Sequence, residues 1–205
     1  MPPCSTRHLL AVLSLALLML WGCGSTPPTR FYVLPTLTDA APLAPASKRE
    51  LTIGIGPVTL PPYLDRPQIV TRASRAQLAL GEFDQWAASL QDGVVRVLAE
   101  NLSLLIPTER VVLHPWPRTT VLDYQVTVEV IQFDADSRGE VVLAARWQIL
   151  TANEKELVMR TSRLTAAAGS HEYEAMVMAM GRTLDALSRE ISTTLSILAR
   201  HAARR

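Results

Sequence analysis

Cysteine is nearly missing from this 205-residue chain, which has only Cys4 and Cys23. Histidine is almost as scarce, with four residues, His8, His114, His171 and His201. No two of them stand at the i, i+2 or i, i+4 spacing that presents paired imidazoles to a metal, and none has acidic neighbours that complete a ligand set. No serine lies in a G-x-S-x-G elbow, so an α/β-hydrolase nucleophile is excluded. Gly54-Ile55-Gly56-Pro57 begins like a phosphate loop. No third glycine or lysine follows, however, and Pro57 lacks the N–H that such a loop would use. Neither an enzyme, nor a metal, nor a cofactor is indicated. An envelope hydrolase is disfavoured because no catalytic group can be named. Lysine is also rare: Lys48 and Lys155 stand against eighteen arginines.

One cysteine matters. Residues 9–21 form an uncharged run of Leu, Ala, Val, Met, Ser and Trp that follows Arg7-His8 and ends in Leu20-Trp21-Gly22-Cys23. A membrane-crossing helix needs about 20 apolar residues, so this run is too short to span and reads as the core of a signal peptide. Small Gly22 suits a signal peptidase. The order Leu-x-Gly-Cys resembles a bacterial lipobox, in which the thiol receives a diacylglycerol and the new amino terminus is acylated. The bland reading is an ordinary secretory signal that happens to end in cysteine. Trp21 is bulkier than usual for its position, while Cys4 has no apolar run before it. The expected division is a discarded signal peptide over 1–22, a tether over 23–30 and a domain over 31–205, with Cys23 as the lipidation site.

Removing residues 1–22 takes away Arg7 and no acid, leaving 19 basic against 19 acidic side chains. A chain without surplus cations is a poor binder of nucleic acid. It also retains no cysteine beyond Cys23, so no disulfide or thiolate metal site is available. The domain must therefore rely on an aliphatic core, for which it is long enough.

The patterning predicts a mixed-class fold. Residues 31–34 read as an edge strand stopped by Pro35, and 38–50 as a loop. A strand is expected from Leu51, with Leu51, Ile53 and Ile55 on one face and Thr52, Gly54 and Gly56 on the other. Short strands are expected up to Arg72 and over 75–80. Asp84 is a plausible N-cap for a first helix carrying Trp86, Leu90, Val94, Val97, Leu98 and Leu105, closed by Pro107. A brief strand over 110–113 precedes the turn His114-Pro115-Trp116-Pro117. Alternation is strongest at Leu122, Tyr124, Val126, Val128 and Val130. Residues 134–139 read as a hairpin loop, followed by strands over 140–150 and 156–168. Val177, Met180, Leu184, Leu187, Ile191, Leu195 and Leu198 then mark one stripe of a long final helix. The fold expected is α/β (α+β), a two-layer sandwich of a mostly antiparallel sheet with both long amphipathic helices on one face.

Several residues carry two readings. Asp134 and Asp136 with Glu140 faintly suggest calcium, but a solvated hairpin loop explains them better. Trp86 and Trp147 sit on apolar stripes and read as core. Trp116, between two prolines, is a candidate membrane or partner contact. Met176, Met178 and Met180 read as core filling rather than a ligand surface.

The run Gly56-Pro57-Val58-x-Leu60-Pro61-x-Tyr63-Leu64-Asp65-Arg66-Pro67-Gln68-Ile69-Val70 resembles the signature of the PqiC-type lipoproteins. These are auxiliary lipoproteins of ABC-type and MCE-type transport systems in Gram-negative envelopes. Phe31-Tyr32-Val33-Leu34, Trp86 with Leu90, residues 97–102, and Phe133-Asp134 followed by Gly139 fit the same pattern. The prolines make the run a rigid, extended surface segment. Asp65 and Arg66 point to opposite sides of it, so one could hold the local fold while the other meets a partner, or both could only stabilise a loop. The resemblance implies a non-enzymatic subunit on the inner leaflet of the outer membrane that meets a periplasm-spanning MCE subunit. Gly24 fits outer-membrane sorting, and a homo-oligomer is implied as well. Tyr63, Leu64, Asp65, Arg66, Pro67, Gln68 and Trp116 are the candidate partner-binding residues. The competing reading is a periplasmic lipoprotein acting alone, holding a lipid or other small ligand between helices and sheet.

Overall fold

The computed structural model describes residues 27–37, 50–106 and 108–203. The signal peptide, Cys23 and the first part of the tether, most of the loop after Thr38, and Pro107 lie outside the described residues. Among the described residues, eight strands and two helices follow one another: β1 (Arg30–Tyr32), β2 (Ile53–Thr59), a 3₁₀ turn (Pro62–Leu64), β3 (Gln68–Arg72), β4 (Leu78–Trp86), α1 (Leu90–Leu105), β5 (Val111–Leu113), β6 (Tyr124–Asp136), β7 (Glu140–Thr151), β8 (Glu156–Ala167) and α2 (Tyr173–Ala202). This is the α+β architecture expected, and the sheet is mixed.

Strands β6, β7 and β8 form the antiparallel meander, paired in long register from Tyr124↔Thr151 and Glu140↔Ala167. The other edge of β6 forks. Its first half pairs in parallel with β2, which carries β5, and its second half pairs in parallel with β3, which carries β4 and then β1. Local alternation cannot show these parallel joins, because they are made by residues far apart in the chain.

Both helices pack against each other. α1 lies over β2 and β5, and α2 over β6, β7 and β8. Between the layers sit Ile53, Ile55, Val94, Leu98, Leu102, Val126, Leu143, Trp147, Ile149, Leu184, Leu187, Ile191 and Leu195, all fully buried. Truncating a buried aromatic such as Trp147 to alanine costs about 3–5 kcal/mol, so this filled layer carries the fold. Met176 and Met180 are buried in it, whereas Met178 is half exposed on α2. No helix among the described residues is long and apolar enough to cross a membrane.

The region expected to start the first helix is different. Asp84 and Trp86 belong to β4, and α1 begins at Leu90. Ser89 is its N-cap, its hydroxyl accepting from the Asp92 N–H. Ser89-x-x-Asp92 is the local capping signal, and Asp84 fails as a cap because its carboxylate is engaged elsewhere. The hairpin between β6 and β7 is also shorter than expected. Strand β6 runs through Asp136, so Asp134 is a strand residue.

Candidate functional site

The segment singled out by its prolines is held from beneath. Pro61 and Pro62 enter the 3₁₀ turn, closed by Leu64 N–H to Pro61 O (3.0 Å) and Asp65 N–H to Pro62 O (3.2 Å). Leu64 plugs into the core. Tyr63 reaches β6, where its hydroxyl donates to Asp134 Oδ2 at 2.9 Å. Arg72, at the far end of β3, grips the same carboxylate through two donors at 3.1 and 2.8 Å, and Gln132 Nε2 donates at 2.8 Å. Asp134 is only 1% exposed, so its charge depends on these four bonds.

What this clamp presents is an exposed Asp65-Arg66-Pro67 step. Neither the Asp65 nor the Arg66 side chain has a hydrogen-bond or ion-pair partner among the described residues. Gln68 begins β3, where it lies in register with Gln85. The expectation that either Asp65 or Arg66 holds the fold is thus replaced: Tyr63, Leu64 and Arg72 do so, and both charges face outward.

Asp134 is the residue that sequence reasoning missed as an organiser. Its signal is a break in alternation. Val130 faces the core, yet continuing by twos would bury Gln132 and Asp134 there. A bulge between Val130 and Gln132 flips the faces, sending Phe133 and Ala135 inward and Asp134 outward beneath Tyr63. Asp136 has a separate role, accepting the Arg138 and Glu140 N–H groups in the turn. The Glu140 N–H is the largest cause of its lowered pKa. Among the described residues no acidic or histidine cluster could hold a metal.

A second clamp of the same composition secures β1. Asp84 is 5% exposed and accepts from Arg30 Nε (2.8 Å), Arg30 Nη2 (3.1 Å) and the Tyr32 hydroxyl (2.7 Å). Burial, followed by the charge and hydrogen bond of Asp134, pushes the Tyr63 phenol up to about 12. Burial and the Asp84 hydrogen bond push Tyr32 up to about 12 as well. Both phenols act as neutral donors. Their contribution to stability is complete below the ordinary tyrosine pKa near 10 and is lost as pH rises towards 12, because the unfolded chain gives up those protons first. Urea midpoints measured from pH 9 to pH 12 should therefore fall, and a Tyr32→Phe, Tyr63→Phe chain should show a flatter decline.

Trp116 stands apart from this segment. It is half buried, edge-to-face with His114 (5.3 Å between ring centroids), and its ring covers Gly54 on the sheet face away from the helices. Gly54 pairs with Gln125, nine residues along β6 from Asp134, which is roughly 30 Å of strand. The candidate partner residues therefore form two patches. A Cβ on Gly54 would lie 2.7 Å from Leu122 Cδ1 and 2.9 Å from Trp116 Cζ3. Gly54→Val should displace the indole and cost about 1–3 kcal/mol, read as a lower urea midpoint with a red-shifted tryptophan emission.

The remaining polar groups look structural. His114 is packed against Trp116, and His171 Nε2 lies 3.0 Å from the Ser137 carbonyl oxygen in the neighbouring hairpin. Ser162 accepts from Trp147 Nε1 at 2.9 Å and donates to Glu190, with no histidine among its partners.

Curated relatives are the intermembrane transport lipoprotein PqiC of Escherichia coli (strain K12) and that of Shigella flexneri. Each is 25% identical over 166 residues, covering 81% of this chain and 86% of the relative. Two solved structures share the fold. One is an uncharacterized protein with a TM-score of 0.67 and 21% identity, covering 82% of this chain and 99% of the other. The other is a Xanthomonas campestris protein with a TM-score of 0.69 and 14% identity, covering 86% and 100%. The family described as ABC-type transport auxiliary lipoprotein component matches residues 32–192, which take in the Asp134 clamp, the Asp65 step and all of the Asp84 clamp except Arg30. The chain belongs to that family.

Proposed function

We propose that this protein is an outer-membrane-anchored periplasmic lipoprotein subunit of an MCE/ABC-type lipid transport system. Its part is to dock the transport assembly to the outer membrane and so support membrane integrity, without catalysing a reaction. Residues 1–22 are its signal peptide, Cys23 carries the lipid, the tether expected over 23–30 ends where Arg30 opens β1, and the rest is the docking domain. A subunit that spans the periplasm through MCE domains is the partner, and the docking domain works as a homo-oligomer.

The observation that carries this reading is the step at Asp65-Arg66-Pro67. Its backbone is fixed by prolines and by Asp134 below, while its two charges are exposed and unpaired. A rigid, charged protrusion suits recognition of another protein, because little conformational entropy is lost when it binds. The competing reading, a lipid enclosed between helices and sheet, meets a layer already filled by Trp147, Phe133 and Leu187.

Co-purification from intact envelopes tests the proposal. An MCE-domain protein should accompany the wild-type chain. An Asp65→Arg, Arg66→Asp chain should recover at least about tenfold less of it while keeping its thermal midpoint, since like-charge contacts at an interface cost several kcal/mol. A wild-type preparation that brings down no such protein would overturn the docking role.

A further inference from the structure

Strand β1 is a free edge of the sheet, paired with β4 alone among the described residues, and β8 forms the opposite edge. Arg30 and Tyr32 both turn to Asp84. Side chains alternate along a strand, so Phe31 between them points to the other face. Phe31 is 65% exposed, and Val33, just past the strand, is 62% exposed. Among the described residues only Val121 is a more exposed large apolar side chain. A scattered apolar residue on a surface is ordinary. Two that bracket a clamped tyrosine, neither free to turn inward, call for a partner.

The chain leading to this edge says which partner. On the anchoring reading Cys23 sits at the leaflet and Phe31 follows eight residues later, at most about 29 Å of extended chain. A domain of this size is roughly 40 Å across, so the β1 edge is held on the membrane side. Residues 24–29 carry no charge, so nothing in the connection is repelled by a leaflet. Tethering also raises the local concentration of bilayer at this edge, and a small apolar contact then suffices. A protein adding a strand here would gain little, since β1 offers an edge of three residues.

We infer that Phe31 and Val33 rest in the bilayer surface, among the headgroups and upper acyl carbons of the leaflet that holds Cys23. This contact rests on the anchoring reading and adds to it a second, non-covalent hold that fixes how the domain stands. The strand backbone stays among headgroups and water, because unpaired N–H and C=O groups are costly in hydrocarbon. Phe31, Gln85 and Gln68 lie in one row across β1, β4 and β3. Neighbouring strands are about 4.8 Å apart, so the Asp65-Arg66-Pro67 step that precedes Gln68 starts about 10 Å from Phe31. The contact thus sets the height at which that step is offered.

Depth-dependent quenching tests it. Cys4 lies in the segment removed and Cys23 carries the lipid, so an introduced cysteine is the one free thiol of the mature chain. The lipidated chain with Gln85→Cys, labelled with nitrobenzoxadiazole, is placed in dioleoyl-phosphatidylcholine vesicles containing doxyl-labelled lipid. Met159→Cys, on β8, is the control. Strong quenching is expected at position 85 and little at position 159. Adding Phe31→Ser and Val33→Ser should cut the lipid-contacting fraction about tenfold or more, with the urea midpoint unchanged. A position-85 probe quenched no more than the control, or equally with and without the serines, overturns the contact while an acylated mass leaves the anchor standing. A blue-shifted emission without quenching assigns the patch to another protein surface, such as a second copy, and also overturns it. A chain of unacylated mass overturns the anchor and this contact with it.

Discussion

Asp134→Ala should lower the unfolding free energy by about 3 kcal/mol, at the lower end of the range for breaking a buried ion pair. The loss is large because one carboxylate serves Tyr63, Arg72 and Gln132 together. It stays at the lower end because the Arg72 side chain, 27% exposed, can turn part of its charge to water once its partner is gone. Asp134→Asn keeps an acceptor for Tyr63 and should cost less. Urea unfolding of the three chains gives the comparison, and an alanine variant within 1 kcal/mol of wild type would show that the turn is not pinned from below. Docking should fail together with the clamp, since the Asp65 step would lose its fixed position.

Cys23→Ala should have the largest effect on location. With no thiol to receive the diacylglycerol, the chain is expected to keep residues 1–22, to take up no labelled palmitate and to be missing from the outer-membrane fraction. A single acyl chain holds a protein to a bilayer only marginally, at about 0.8 kcal/mol per buried methylene, so stable anchoring needs several chains on that residue. Palmitate labelling, precursor mass and membrane fractionation check the three outcomes separately. A Cys23→Ala chain of mature mass that still sediments with the outer membrane would end the anchoring proposal.

The layers were legible in the sequence because they rest on period. The alternation of β6 and β7 and the stripe of α2 announce which face is buried before any contact is known. The proline-bearing run was legible as rigid surface because proline fixes backbone angles locally. The clamps were not, because they join residues far apart: Arg30 and Asp84 are 54 positions apart, and Tyr63 and Asp134 are 71 apart. Asp84 was misplaced for the same reason. An acid before an apolar run looks like a cap, and only the distant Arg30 and Tyr32 make it a strand residue. The bulge at Ile131 hid Asp134, because a pattern read by twos does not reveal where the count slips.

Strand β1 has a mechanical consequence. On the proposed anchoring, the domain is leashed to its membrane through Arg30, the first residue of β1 and the one that grips Asp84. Any tug between the lipid and the transport assembly enters the protein at that residue. The guanidinium fork and the Tyr32 hydroxyl therefore act as a strain relief, taking the load before it can peel a three-residue ribbon away from β4.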